Sequence, residues 1–184
     1  MVDMIILDRD GVINEDSDHY IKSVEEWIPI KGSLEAIARL KKAGYLVTVA
    51  TNQSGLARGF FDEKTLQSMH DKMARMLADR GVAIDGIFYC PHGPNEGCAC
   101  RKPRPGLLLQ IAKAFDVNLK NTLFVGDSMS DLQAAGLVGA KSVLLKTGKG
   151  LRTLEKIDKI TDLPIYDDLA HFVREFLKQT KTTG

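Results

Sequence analysis

The chain has 184 residues, of which 44% are hydrophobic and 27% charged, and these values are ordinary for a globular protein with one sizeable core. The formal net charge of +1 gives no support to a nucleic-acid-binding surface, although a local basic patch can lie within a neutral total. The apolar run at the N-terminus is too short for a signal peptide, and no stretch approaches the length of a membrane span. We therefore expect a cytoplasmic protein with neither nucleic-acid nor membrane partners.

Apolar runs that predict strands alternate along the chain with amphipathic segments that predict helices. In chain order the predicted elements are a strand at 4–7, a helix from 33 to a stop at Gly44, a strand at 45–50, a long helix after Asp62, a strand at 86–89, a helix at 107–115, a strand at 122–125, a helix at 131–137, a strand at 141–145 and a last helix at about 168–177. Ser33 and Asp62 are the predicted N-caps of the first two helices, because short polar side chains can accept bonds from the free N–H groups there. The long helix has an apolar face that we expect to lie in the core: Leu66, Met69, Met73 and Leu77.

This alternation predicts an α/β fold, a doubly wound, Rossmann-like parallel sheet with helices on both faces. No segment is long enough for a separate cap, so residues 1–184 are expected to form a single domain. In such sheets ligands bind beyond the carboxyl ends of the strands. Asp8, Thr51 and Asp127 each directly follow a predicted strand, so we expect them to share one site.

The first of these strand ends carries two acids in the run Asp8-Arg9-Asp10-Gly11. Side chains two residues apart on extended backbone point to the same side, and two carboxylates held together repel unless a cation or a proton intervenes. Asp127 would add a third carboxylate, and oxygen ligands of this kind suit Mg²⁺. Alone, the run is equally typical of a turn with solvated acids, because Asp and Gly are common in turns.

A second cluster of polar residues lies in the loop at 90–100, where three thiols and an imidazole occur at short spacing. The four residues are Cys90, His92, Cys98 and Cys100. They are a complete ligand set for a closed, structural Zn²⁺ site, and their spacing differs from that of a nucleic-acid-binding finger. Free thiols in a turn beside a solvated histidine are the alternative. The loop continues directly into Arg101-Lys102, so zinc would fix the position of both residues.

The motifs occur in an order that resembles the haloacid dehalogenase superfamily of phosphatases. In chain order they are Asp8-x-Asp10, Thr51-Asn52, Lys102 and Gly126-Asp127-x-x-x-Asp131. The resemblance implies that Asp8 is the nucleophile, which forms an aspartyl-phosphate, and that Asp10 is the general acid and base. It implies that Thr51 and Lys102 hold the transferring phosphoryl oxygens.

The same resemblance implies a Mg²⁺ site formed by the side chains of Asp8 and Asp127 and the backbone carbonyl of Asp10. Asp131 is expected to orient the loop or the waters of the metal.

Two families of this superfamily combine these motifs with a Cys-x-His and Cys-x-Cys loop: heptose bisphosphate phosphatases and histidinol-phosphate phosphatases. Residues 8–14 followed by Tyr20, and the segment 51–59, resemble the heptose family, whereas the short spacer at 93–97 resembles the histidinol family. The first resemblance implies removal of the C7 phosphate of D-glycero-D-manno-heptose 1,7-bisphosphate, giving heptose 1-phosphate for lipopolysaccharide biosynthesis. Histidinol-phosphate hydrolysis is the alternative.

A small sugar bisphosphate would be bound by short loops. The expected substrate contacts are Asp16, Tyr20, Thr51, Asn52, Gln53, Ser54, Arg101 and Lys102. Arg101 is expected to meet the second phosphate, because a guanidinium can bind such a group in a bidentate manner. His19 is a further candidate contact, and His70 is expected at the surface or at the rim of the site. The predicted helices have no exposed apolar stripe, so we expect a monomer.

Three other classes of protein share part of these features. A phosphorylated signalling receiver also uses a strand-end Asp and Mg²⁺, but it has no counterpart of Asp10. A nucleic-acid 3′-phosphatase shares the chemistry but needs a basic groove, which a net charge of +1 does little to support. A purely structural zinc protein would leave Asp8 and Asp127 unexplained.

Overall fold

A computed structural model of the chain describes residues 2–157 and 162–182, with side chains to residue 180. These residues form a parallel sheet of six strands in the order β3-β2-β1-β4-β5-β6. The strands are β1 (Met4–Leu7), β2 (Leu46–Asn52), β3 (Gly86–Cys90), β4 (Thr122–Gly126), β5 (Lys141–Leu145) and β6 (Ile165–Tyr166). The helices are α1 (Ser33–Lys42), α2 (Glu63–Ala78), α3 (Gly106–Phe115), α4 (Met129–Val138), α5 (Gly150–Leu154) and α6 (Leu169–Thr182).

The central strand β1 shows why the sheet is doubly wound. All four of its side chains are buried, because alternate residues contact helices on opposite faces of the sheet. Ile5 and Leu7 belong to the apolar cluster that includes buried residues of α1, α2 and α6, whereas Met4 and Ile6 belong to the one that includes α3 and α4. The predicted α/β fold with a doubly wound parallel sheet is confirmed.

The caps of the first two helices differ in outcome. Asp62 caps α2 as predicted, and its Oδ1 accepts a bond of 2.8 Å from the backbone N–H of Thr65. The prediction for Ser33 was wrong: Gly32 is the N-cap of α1, and the Ser33 hydroxyl instead donates to the carbonyl of Ile13 at 2.6 Å. Ser33 therefore ties the first loop to the helix. The predicted apolar face of α2 is confirmed, since Leu66, Met69, Met73 and Leu77 are all buried.

Several element bounds differ from the prediction for local reasons. Helix α4 begins two residues before Asp131, because Ser128 and Asp131 form a capping box there. Helix α5 and strand β6 were not predicted, since five and two residues are too few to show a periodic pattern. Helix α6 continues to Thr182, beyond the predicted end.

The register of the strands brings their ends to one edge of the sheet. Leu7 at the end of β1 is level with Val49 in β2 and with Val125 in β4. Asp8, Thr51 and Asp127 therefore come one or two residues beyond the same level. Among the described helices, none is long and apolar enough to cross a membrane.

Candidate active site

Three carboxylates converge at the carboxyl edge of the sheet. Asp8 follows β1, Asp127 follows β4, and Asp131 lies in the first turn of α4; one oxygen of each lies within 4.8 Å of the others. All three side chains are buried. Burial and the charge of Asp131 raise the pKa of Asp8 to about 7, although Lys102 opposes this shift. Burial and the neighbouring carboxylates also raise the pKa of Asp127 to about 8.

Lys102 is the cation that meets this cluster. Its Nζ lies 2.9 Å from Oδ1 of Asp8 and 2.7 Å from Oδ1 of Asp131, and it donates to the carbonyl of Ala50 at 2.7 Å. Burial alone would lower the pKa of this ammonium, but the carboxylates of Asp131 and Asp8 raise it above its usual value. The side chain is therefore charged, and its three donors are used.

The backbone of Lys102 is held by the side chain of Asn52 at the end of β2. The Asn52 amide donates to the carbonyl of Lys102 at 3.0 Å and accepts from its N–H at 3.0 Å. These paired bonds fix the lysine, which comes from a distant loop, beside Asp8 at the end of β1.

Asp10 points into a separate polar network. Its carboxylate accepts bonds from Arg9 Nε at 3.0 Å, from Asn14 at 2.8 Å and from Gln53 at 2.9 Å. Gln53 also donates to Thr51 Oγ1 at 2.9 Å, so the network joins the first two strand ends. Burial opposes ionisation of Asp10, but Arg9 and the hydrogen bonds outweigh it and lower the pKa.

The network extends to a histidine that was expected at the surface or rim. That prediction was wrong, since His70 is 5% exposed and its Nε2 lies 3.4 Å from the guanidinium of Arg9. His70 follows Leu66 by one helical turn and so shares the buried face of α2. Burial and the positive charge of Arg9 lower the pKa of His70 to about 4.

Two glycines let the turn between β5 and α5 approach Asp127 closely. A Cβ added at Gly11 (φ 86°) or at Gly148 (φ 54°) would collide with Oδ2 of Asp127, so only glycine fits at either position. The hydroxyl of Thr147 donates to the carbonyl of Gly11 at 2.6 Å, and the N–H of Lys149 donates to Asp127 at 2.6 Å. This turn is therefore one wall of the site.

These elements surround a cavity of about 310 Å³. All eight side chains expected to contact substrate line it: Asp16, Tyr20, Thr51, Asn52, Gln53, Ser54, Arg101 and Lys102. Asp8, Asp10 and Asp127 line the same cavity, whereas His19 lines a neighbouring one with Phe60.

The four residues of the loop at 90–100 also converge. The sulfur of Cys90 lies 3.6 Å from that of Cys98 and 3.1 Å from that of Cys100, and Nδ1 of His92 lies 3.3 Å from the sulfur of Cys100. All three cysteines are free, and the four ligand atoms lie within 4.8 Å of one another. Sulfur ligands about 2.3 Å from a tetrahedral ion are themselves about 3.7 Å apart, so the cluster has the dimensions of a zinc site.

Comparison with known proteins identifies the family. The protein-family model described as HAD-hydrolase-like matches residues 99–172. The chain is 57% identical over 174 residues to the D-glycero-beta-D-manno-heptose-1,7-bisphosphate 7-phosphatase of Pseudomonas putida, across 95% of this chain and 99% of the relative. The chain belongs to the D-glycero-beta-D-manno-heptose-1,7-bisphosphate 7-phosphatase family. A member of this family from Bordetella bronchiseptica is 52% identical, across 96% of this chain and 98% of its own length.

Solved structures agree with membership of the heptose phosphatase family. The crystal structure of D,D-heptose 1,7-bisphosphate phosphatase from B. bronchiseptica, complexed with magnesium and phosphate, matches this chain with a TM-score of 0.93 and 51% identity, across 97% and 99% of the two chains. The enzyme from Burkholderia thailandensis matches with a TM-score of 0.75 and 42% identity, across 95% and 98%. The predicted resemblance to the haloacid dehalogenase superfamily, and to its heptose phosphatases, is confirmed.

In this member of the heptose phosphatase family, Ser17 and Asp18 also line the cavity, between the expected contacts Asp16 and Tyr20. Outside that loop, sequence patterns missed three polar residues of the cavity: Ser128, Ser130 and Lys149. The first two lie at the start of α4, whose predicted beginning was too late. Lys149 directly precedes α5, which was not predicted. Gly148, which allows the turn between β5 and α5 to approach Asp127, was the one sequence feature that could have indicated that this turn lines the cavity.

Proposed function

We propose that the chain removes the C7 phosphate of D-glycero-β-D-manno-heptose 1,7-bisphosphate and releases heptose 1-phosphate and inorganic phosphate. The observation that carries this proposal is the 57% identity, over almost the whole of both chains, to the P. putida enzyme that bears this name. The chain is thus a phosphoric monoester hydrolase. The β anomer is taken from the names of the relatives, since the sequence itself does not indicate it.

The carboxylate cluster fits Mg²⁺. Its donors are hard oxygens, and the single charge of Lys102 does not balance three clustered carboxylates, as the raised pKa values of Asp8 and Asp127 indicate. Asp8, Asp127 and the backbone carbonyl of Asp10 would hold the ion. When bound, it offsets the repulsion between a carboxylate nucleophile and a phosphate dianion. Asp131 orients the turn between β4 and α4, because its Oδ2 accepts hydrogen bonds from the backbone N–H groups of Asp127 and Ser128.

In the first step, Asp8 attacks phosphorus and the bond to the sugar oxygen breaks. The phosphoryl group becomes an acyl phosphate on Asp8, and the leaving oxygen takes a proton from Asp10. Thr51 holds one phosphoryl oxygen, and Lys102 holds another with the donor that it releases from Asp8 when that carboxylate attacks. Because the pKa of Asp10 is lowered in the free site, Asp10 must take up a proton from solvent as the substrate binds, and the negative charge of the phosphate favours this uptake. The proton that water gives to Asp10 in the second step restores this protonated form.

In the second step, water attacks the phosphorus of the acyl phosphate and gives a proton to Asp10. Inorganic phosphate leaves, and Asp8 is restored as a carboxylate. The hydrogen bonds from Asn14 and Gln53 keep Asp10 oriented through both steps.

The thiol and imidazole cluster fits Zn²⁺ in number, type and spacing of its ligands. Cys90, His92, Cys98 and Cys100 would hold the ion, which would link the two ends of the loop. The guanidinium of Arg101 donates to the carbonyl of His92 at 3.3 Å. This bond supports the proposal that Arg101 meets the second phosphate, while Lys102 meets the transferred one.

The remaining features of the proposal follow from the sequence. We place the protein in the cytoplasm, as a monomer with one phosphatase domain at 1–184, acting on a small sugar bisphosphate without nucleic-acid or membrane partners. The basis is the net charge of +1 and the scattered positions of the exposed large apolar side chains.

The decisive experiment compares kcat/KM for the β and α anomers of the heptose bisphosphate, histidinol phosphate and fructose 1,6-bisphosphate. We expect the β anomer to be the best substrate. A clear preference for histidinol phosphate would overturn the proposal and favour the alternative that the short spacer at 93–97 suggested.

A further inference from the structure

Lys149 faces the cavity from the turn between β5 and α5. Its backbone N–H donates to Oδ2 of Asp127 at 2.6 Å, and Gly148 before it has no room for a Cβ against the same carboxylate. The hydroxyl of Thr147 is bonded to the carbonyl of Gly11. The base of the Lys149 side chain is therefore held at a fixed place beside the reaction centre.

The side chain of Lys149 extends to Asp16, another residue of the cavity wall. Nζ of Lys149 lies 3.2 Å from Oδ2 of Asp16. The side chain of Asp16 is 10% exposed and that of Lys149 is 47% exposed, so the acid is nearly enclosed while the ammonium keeps an open side. Within the described part of the chain, no other cation forms an ion pair with Asp16.

The charges of the cavity leave Lys149 available for an anion. Among the residues that the structure describes, three cations line the cavity: Arg101, Lys102 and Lys149. The ammonium of Lys102 is already bonded to two carboxylates and a carbonyl. Arg101 follows β3 and Lys149 follows β5, and these strands lie on opposite sides of β1 in the sheet. The two cations therefore reach the same cavity from opposite sides of Asp8, so Lys149 can contact the second phosphate on the side that Arg101 does not reach.

We propose that Lys149 exchanges Asp16 for the phosphate that is not transferred, and so selects bisphosphates over monophosphates. This inference rests on the function proposed above. A partly exposed ion pair contributes little to stability, whereas a charge-assisted bond to a phosphate dianion is stronger, so the exchange is favourable. Asp16 keeps the ammonium at the cavity before substrate arrives, and its released carboxylate can accept bonds from sugar hydroxyls.

The test compares Lys149→Met with the unmodified enzyme on two substrates, the heptose 1,7-bisphosphate and the same heptose with only its C7 phosphate. Loss of one charge-assisted contact predicts a fall of about tenfold in kcat/KM for the bisphosphate, mainly through KM. The fall for the 7-phosphate should be several times smaller. Lys149→Arg, which keeps the charge, should retain most of the preference, and Lys149→Gln repeats the comparison if the Met variant folds poorly.

Arg152→Met is the matched control. Arg152 belongs to the same segment and pairs with Asp18 at 2.9 Å, but it does not line the cavity, so both substrates should be turned over as before. If Lys149→Met lowered kcat/KM equally for the two substrates, its effect would lie at the reaction centre, and the inference would be overturned. An unchanged kcat/KM for both substrates would overturn it as well. An unmodified enzyme that turned over the two substrates equally would also overturn the inference. An unmodified enzyme that hydrolysed neither substrate would instead overturn the proposed function.

Discussion

The ammonium of Lys102 lies 2.9 Å from Oδ1 of Asp8, so the carboxylate that we propose as the nucleophile is paired with a buried cation. The same ammonium contacts Asp131, whose second oxygen holds the loop that carries Asp127. Lys102 therefore links the charge of Asp8 to the position of Asp127, the acid at the end of β4. Changes at these residues should separate effects on chemistry from effects on folding.

The variant Asp8→Asn should lose activity by more than about 10⁴-fold, because a neutral amide cannot attack phosphorus. Its folding should be retained, since the substitution removes one of three mutually repelling carboxylates and keeps the shape of the side chain. Steady-state turnover and urea denaturation measure the two effects. Near-normal turnover in this variant would rule out the proposed nucleophile.

The variant Lys102→Met should lower the free energy of unfolding of the metal-free protein by about 3 kcal/mol or more, because it leaves buried carboxylates without their cation. Lys22→Met is the control, since Lys22 forms only an exposed pair with Glu26 at 4.0 Å and should change stability by less than about 1 kcal/mol. Urea denaturation compares them. Equal stability of the two variants would contradict the structural role given to Lys102.

The buried His70 predicts a specific dependence of stability on pH. Its pKa is lowered to about 4 in the folded protein from an ordinary value of 6.5, so the unfolded chain binds the proton first. The contribution of His70 to stability is therefore full above about pH 6.5 and falls by about 3 kcal/mol as the pH is lowered towards 4.

His70→Gln should remove this contribution, so the loss of stability between pH 7 and 4 becomes smaller by about that amount. His19→Gln is the control, because it makes the same exchange of side chain at an exposed position. The measurement is the free energy of unfolding at several pH values. Identical slopes for His70→Gln and the unmodified protein would show that His70 is not the responsible group.

The zinc cluster should be tested by metal analysis and by chelation. We expect about one equivalent of zinc per chain, and removal of zinc should lower both the melting temperature and the turnover, because the loop at 90–100 leads directly to Lys102. Added Mg²⁺ should not restore the activity. Full activity in protein free of zinc would contradict the assignment.

Local sequence signals predicted the parts of the structure that depend on neighbouring residues. A few neighbouring residues were enough to predict the bounds of β1 and β5, the cap Asp62 and the buried face of α2. The strand ends then predicted that Asp8, Thr51 and Asp127 would meet, because the ends of parallel strands share one edge.

The residues that were missed depend on which loops meet in space. Nothing near His70 in the chain indicates that it lies beside Arg9, 61 positions away. The ion pair between Asp16 and Lys149 was also missed, because it joins two loops that are far apart in the chain and meet only in the folded protein. The helix α5, which follows the second of these loops, has only five residues and is too short to be recognised from the sequence.

Gly148 lies so close to Asp127 that substituting it should affect catalysis through a steric clash as well as through backbone strain. A comparison with a second glycine of similar φ separates these two effects. In Gly148→Ala the new Cβ would meet Oδ2 of Asp127 and, at 2.6 Å, Cα of Gly11, so the carboxylate must move and turnover should fall by about 100-fold. Gly81 has a similarly positive φ of 73° but nothing within 4 Å of an added Cβ. Gly81→Ala should therefore lose only about 1 kcal/mol of stability, from the left-handed backbone, and keep its activity. Because both variants carry the same kind of strain, equal turnover in the two would show that the contact with Asp127 does not matter for catalysis.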